Sequence, residues 1–188
     1  MRRLADAIEA GMVKGRLRAD HFIHLRCEVS APNCLESFEI FENDPRVRIA
    51  SLMDHSPGQR QFVSLEAYAV YYKGKRGMSD AEFNDFCERR MAQSATWSDK
   101  NRKIVAERAK ARGVMLASHD DATDAHVDEA VELGIRVAEF PTTLEAARAS
   151  KAQGLAVLMG APNVVRGGSH SGNLSARDLA ANGLLDIL

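Results

Sequence analysis

Apolar residues along this chain gather in short runs, and stretches with a single apolar face separate them. The runs cover 21–29, 47–54, 113–118, 135–140 and 155–159, and each predicts a strand. They are nearly uniformly apolar, as expected for parallel strands covered on both faces. Between them, helical periodicity places Leu4, Ile8, Met12 and Val13 on one face of a helix over 3–15, which Gly15 ends. Pro32-Asn33 opens a helix to Phe41, and Asp44-Pro45 stops it. Leu65, Tyr68, Ala69 and Tyr72 keep register over 64–74. Ser79 caps a long helical stretch to Arg112, with Asp80 and Glu82 in its first turn and a predicted division at Ser94–Ser98. Thr123 or Asp124 caps a helix to Leu133 closed by Gly134, Thr143 caps one to Ala152, and Ser175 caps one to Asn182.

Strands alternating with helices predict a parallel α/β sheet. A doubly wound sheet and a barrel both fit that alternation. The barrel is favoured, because ligand-type residues end several different strands and no glycine-rich loop follows the first one.

At 188 residues the chain is one domain's length, and its 25 Lys plus Arg balance 26 Asp plus Glu. That balance removes the electrostatic case for nucleic acid or a membrane surface as partner. Cys27, Cys34 and Cys87 form no C-x-x-C pair and read as reduced thiols of a cytoplasmic protein. No apolar run is long enough to span a bilayer, and the first residues lack a signal peptide's uninterrupted apolar core.

The chemistry concentrates where strands end. The first strand ends in Glu28, the second in Asp54-His55 and the third in His119-Asp120-Asp121. Each residue alone has an ordinary reading: a hydrogen-bonded loop histidine, or a Glu28 that is either a solvated strand end or a partner for Arg26. Three successive strands, each ending in a carboxylate or imidazole, instead point to a shared divalent metal, zinc first, with manganese or iron acceptable. Glu28, His55 and His119 are the candidate ligands, and a bridging Glu28 allows two metals. Asp54, Asp120 and Asp121 are expected to orient the imidazoles. His21 precedes the first strand, His24 reads as a structural histidine, and His126 as exposed on a helix.

The second feature is the stretch from Met159 to Asn173, expected to be a long loop without secondary structure. Its four glycines allow close backbone approach, and Arg166 offers a planar fork suited to phosphate. Candidate substrate contacts are Arg60, Asn163, Arg166, Gly167, Gly168, Ser169, His170 and Asn173, with Arg166 and His170 placed closest to the chemistry. Ser171 adds a hydroxyl, and Lys73–Arg76 is as readily a solvated turn.

These motifs together carry a resemblance. His24-Leu25-Arg26-Cys27-Glu28, Met53 through Phe62, Ser118 through Thr123, Ala138 through Thr142 and the whole 160–173 stretch resemble the phosphonate-metabolism branch of the amidohydrolase superfamily. The resemblance implies a metal-dependent (β/α)8 TIM-type barrel, of which this chain holds a part, about strands 4–8. It implies Glu28 as a bridging ligand after strand 4, and His55 and His119 as the ligands after strands 5 and 6. It makes 160–173 the substrate loop before strand 8, and 184–188 the start of that strand. The implied activity is release of pyrophosphate from α-D-ribose 1-methylphosphonate 5-triphosphate, a small phosphorylated sugar. Hydrolysis of a cyclic amide or related C–N bond, the superfamily's commoner chemistry, is the alternative. This sequence has no His-x-His pair, and Asp186 sits too early to replace the strand-8 Asp. With those ligands missing, the 188-residue chain by itself is expected to be catalytically inactive. Unpaired sheet edges are expected to draw it into a homo-oligomer.

Overall fold

The computed structural model describes residues 1–62, 68–69, 72–74, 77–169 and 173–188. Five strands form one parallel sheet: β1 (Ile23–Glu28), β2 (Val47–Met53), β3 (Met115–His119), β4 (Val137–Glu139) and β5 (Ala156–Leu158). Their order across the sheet is their order in the chain. A doubly wound sheet reverses direction at a switch point, and no reversal occurs among these strands. The sequential order is compatible with one arc of a β/α barrel. Ile187 adds an isolated parallel bridge to Leu158, so the expected start of a further strand at 184–188 lies beside β5.

The helices are α1 (Arg2–Val13), α2 (Cys34–Glu39), α3 (Asp80–Ala111), α4 (Asp124–Glu132), α5 (Leu144–Ala152), α6 (Ala161–Arg166) and α7 (Ala176–Ala181). Their N-termini form as their sequences dictate. Ser79 and Ser175 build capping boxes with Glu82 and Asp178, while Thr123 and Thr143 accept the backbone N–H of His126 and Ala146. The expected helix over 64–74 falls largely outside the described residues; Tyr68, Ala69 and 72–74 are helical.

Two expectations are corrected. The stretch from Ser79 is not divided: α3 runs unbroken for 32 residues through Ser94 and Ser98. Both serines are buried and donate to Asp54 Oδ2, so polar residues that looked like a break anchor the end of β2 to the middle of α3. The 159–173 stretch is not all loop either. Pro162 sits in the first turn of α6, and Gly167, in a left-handed conformation, ends it.

The sheet's two faces differ in chemistry. Ala50, Leu52, Leu116 and Ala138 point to the helices and pack with Val105, Ala106 and Ala109 of α3 and with Phe38 of α2 in the main core. Fully burying a side chain the size of Leu or Val stabilises by about 1.5–3 kcal/mol, so this face holds the sheet to its helices. Cys27 and Cys34 lie in that core, and all three cysteines are free thiols. Burial pushes Cys27 up to about 12, which keeps it a thiol. A smaller core joins Ala147, Val157, Met159, Leu179 and Leu184 around β5. The opposite face of the sheet carries polar residues at alternate positions, and these build the site.

Candidate metal centre

Alternation along β1 puts His24, Arg26 and Glu28 on one face, and their partners come from the neighbouring strands. His24 Nε2 hydrogen-bonds Ser51 Oγ on β2. Ser51 Oγ donates to Glu139 Oε2 on β4 at 2.7 Å. Glu139 Oε2 also takes His119 Nδ1 at 3.1 Å. His24 is thus a bonded structural histidine, as read, and the same chain of bonds fixes the His119 ring. Glu139 is almost wholly buried; burial alone would raise its pKa, but its bonds to His119 and Ser51 hold it below the usual range.

Beyond β2, His55 Nδ1 lies 2.6 Å from Glu28 Oε2, and the His55 backbone N–H donates to Glu28 Oε1 at 2.9 Å. Ser30 Oγ (2.8 Å) and Arg90 of α3 (3.0 Å) complete the shell of Glu28 Oε1. Arg26, read as the partner of Glu28, is instead turned to His119, with its guanidinium 3.4 Å from Nε2.

Both imidazoles therefore have Nδ1 fixed by a carboxylate, and both aim Nε2 at one atom. Asp120 Oδ2 lies 3.6 Å from His55 Nε2 and 3.5 Å from His119 Nε2. That oxygen is buried and makes no hydrogen bond among the described residues. The three donor atoms lie within 4.8 Å of one another. Two nitrogens and a carboxylate oxygen converging on one gap suit a divalent cation. Without one, the proton takes its place. Burial would lower the pKa of His55, but the carboxylates of Asp120 and Glu28 outweigh burial and raise it to about 9. Burial likewise opposes ionisation of Glu28, and its bonds to His55 overcome that and bring it down to about 2.

Backbone conformation delivers Asp120. It has φ +58°, and its N–H bonds the Glu139 carbonyl at 2.9 Å. Phe140 repeats the device one strand on, with φ +55° and its N–H on the Leu158 carbonyl at 2.9 Å. Non-glycine residues at such angles carry strain that the surroundings impose, and here both sit at strand ends facing the site. Phe140 sets its ring edge-to-face on His119, with centroids 5.2 Å apart. Gly160 makes room for that ring, since a Cβ there would meet it at 3.1 Å.

The cluster opens into a cleft of about 470 Å³, walled by Arg26, Phe140, Met159, Asn163, Arg166 and Asn173, among others. Of the expected substrate contacts, Asn163, Arg166, Ser169 and Asn173 line it. Gly167 and Gly168 lie in the same turn but are not in its wall, and His170 lies outside the described residues. Asn163 is partly committed already, since its Oδ1 accepts the Ala176 N–H at 2.9 Å.

Arg60 is a correction: it is buried and paired with Asp121 and Glu129, so its guanidinium is spent inside the fold rather than offered to the cleft. Asp54 and Asp121 are corrected with it. Asp54 binds Ser94, Ser98 and the Ser56 N–H, Asp121 binds Arg60, and neither orients an imidazole. His126 is half-buried rather than exposed, with Nδ1 accepting the Ala122 N–H at 3.2 Å. Of the three proposed ligands, His55 and His119 meet directly. Glu28 stands behind His55, and Asp120 takes the third position. Asp120 was legible as a ligand type beside His119, but only its left-handed backbone distinguishes it from Asp121.

No family model matches the chain. Over its whole length it is 52% identical to the α-D-ribose 1-methylphosphonate 5-triphosphate diphosphatase of Escherichia coli (strain K12), and it spans 50% of that protein. A crystal structure of an uncharacterized protein aligns with 48% of the chain at 17% identity and a TM-score of 0.33, a likeness too slight to carry an argument. The whole chain is therefore similar to about half of that diphosphatase.

Proposed function

We propose that this chain carries the metal-binding wall of a hydrolase that releases pyrophosphate from α-D-ribose 1-methylphosphonate 5-triphosphate, and that its sheet is an arc of a (β/α)8 barrel. One observation carries the reading. His55, His119 and the unsatisfied Asp120 oxygen converge at the carboxyl ends of adjacent parallel strands, inside a cleft that also holds Arg26 and Arg166. Half the diphosphatase is matched at 52% identity, which supports the substrate class.

His55, His119 and Asp120 hold the divalent cation, zinc by its donor set, with manganese or iron as alternatives; Glu28 orients His55 and Glu139 orients His119. The cation supplies Lewis acidity at a phosphoryl oxygen. Arg166 and Arg26 face the phosphates as cations without a carboxylate partner among the described residues. Asn163, Ser169 and Asn173 line the wall beside Arg166. Two unpaired arginines suit a polyphosphate better than the single carboxylate of a cyclic amide.

The test pairs metal content with turnover. The 188-residue chain should take up Zn²⁺ or Co²⁺, and His119→Ala should abolish that uptake and, in a full-length enzyme, pyrophosphate release from the triphosphate. Turnover of cyclic amides without triphosphate hydrolysis, or hydrolysis that survives His119→Ala, would overturn the reading.

A further inference from the structure

We propose that Arg26 couples the metal to the anion: it opposes a cation bound alone at His119 and grips the phosphate or phosphonate oxygen that accompanies it. This rests on the metal-hydrolase reading above and goes beyond it, assigning a role to a residue read from the sequence only as a partner of Glu28.

Arg26 is exposed on the β1 face that lines the cleft. Elsewhere in the fold the buried or half-buried arginines meet carboxylates: Arg46 meets Asp44, Arg60 meets Asp121 and Glu129, Arg90 meets Glu28, and Arg102 meets Glu129. Among the described residues Arg26 makes its side-chain hydrogen bond to an imidazole, at 3.4 Å from the nitrogen that faces the metal gap. Glu28, two residues along the same strand face, is already shared between His55, Ser30 and Arg90. Among the described residues Arg26 therefore has no compensating anion, and it lies in the wall of the cleft.

His119 does not need Arg26 for its orientation. Its Nδ1 is held by Glu139 and its ring by Phe140. With Nδ1 carrying the proton to Glu139, the Nε2 lone pair faces both Asp120 and Arg26. A divalent cation taken up there stands close to a guanidinium, and the two repel. An anionic oxygen bound to both removes the repulsion and satisfies the planar fork. Metal and anion then bind with positive coupling, which by linkage is the same seen from either ligand.

The experiment titrates the 188-residue protein with Co²⁺, followed by its visible absorption, with and without saturating methylphosphonate. On wild type the phosphonate should tighten Co²⁺ by about 5-fold or more, the lower end of typical coupling between sites. In Arg26→Ala that coupling should fall to near unity, while Co²⁺ alone binds at least as tightly as to wild type. Arg26→Lys keeps the charge and loses the fork, and should retain part of the coupling. A residue with a merely structural role would weaken both ligands together. Co²⁺ uptake with coupling that ignores Arg26, or that disappears only in Arg166→Ala, overturns this proposal and leaves the hydrolase reading standing. Failure of wild type to take up Co²⁺ removes that reading and this proposal with it.

Discussion

Asp120 and Asp121 are adjacent, identical and both buried, yet they serve opposite ends. Asp121 turns inward to Arg60, which also holds Glu129, and Glu129 holds Arg102, so charge is matched within the fold. Asp120 turns to the cleft, and its Oδ2 faces two imidazoles with no hydrogen bond of its own. Asp121 Oδ2 likewise makes no hydrogen bond among the described residues, so the difference lies in the partners: a guanidinium for one carboxylate, two imidazoles for the other. The guanidinium keeps its charge at any pH, whereas the imidazoles facing Asp120 can exchange a proton for a cation. Breaking each side of this contrast should have different consequences.

The largest effect is expected on the matched side. Arg60→Met leaves Asp121, almost fully buried, without its cation. Removing one partner of a buried pair typically costs about 3–5 kcal/mol. Burial already pushes the Asp121 pKa up against the pull of Arg60, so in the variant Asp121 should protonate on folding and part of the loss should return at low pH. Urea unfolding at two pH values reads both effects. A loss under about 1 kcal/mol would mean that the pair is not the closed unit described here.

On the open side the metal carries the larger effect. Asp120→Asn removes a candidate ligand and one of the two carboxylates that face His55 together. Metal affinity should fall by more than the 10- to 100-fold that removing even an outer-shell partner typically costs, roughly 100-fold or more. At neutral pH the metal-free protein should lose about 1 kcal/mol, because protonated His55 keeps only one of the two carboxylates that raise its pKa. Equal metal affinity in the two proteins would return the third ligand to Glu28.

How much of this contrast was legible in the sequence differs by residue. The strands were, because runs such as 113–118 have no other compact use, and so were the helix starts, because Ser79, Thr123, Thr143 and Ser175 cap through bonds only three residues long. His55 and His119 were visible as ligand types at strand ends. Arg60 was misread because its partners lie 61 and 69 residues away and nothing local announces them. Ser94 and Ser98 were misread for the same reason: serine is a weak helix former until a buried carboxylate 40 and 44 residues earlier accepts its hydroxyl. Asp120 and Asp121 could not be told apart, since a backbone angle set by tertiary bonds decides which of them faces the cleft. The pattern is general: signals closed within one turn survive into the fold, and those completed across the sheet do not show in the chain.

A smaller effect should appear in pH dependence, because in the metal-free protein a proton fills the gap. The folded pKa of His55 is raised to about 9, above its unfolded value of about 6.5. Its contribution to stability is therefore complete below about 6.5 and is lost as pH rises through 9. Glu28 is displaced the other way, to about 2, so its contribution is present above its ordinary range and is lost as pH falls through 2. With chelator present, the thermal midpoint should decline between pH 6.5 and 9, and His55→Ala should flatten that decline. Zinc binding at pH 7 displaces the proton, so the heat of binding should vary with the buffer's ionisation enthalpy. A buffer-independent heat would mean that the ion binds elsewhere.

The smallest expected effect concerns the strain that aims the site. Phe140 sits at φ +55°, where a glycine would rest without cost. Phe140→Gly should relieve about 1 kcal/mol or more of backbone strain. It should also remove the ring packed edge-on to His119, which Gly160 is shaped to admit. These terms oppose each other in stability, so unfolding should change little. They do not oppose each other at the metal. Without the ring, His119 keeps Glu139, Arg26 and the edge of the His55 ring to fix it, and its imidazole gains freedom. Co²⁺ affinity should then fall several-fold and its absorption band broaden, while Phe140→Leu, which restores apolar bulk and keeps the strain, should recover part of both. A Phe140→Gly protein that binds Co²⁺ as wild type does would show that the strained turn serves the cleft's shape alone. The left-handed backbone at Asp120 would then be the one device that places a ligand.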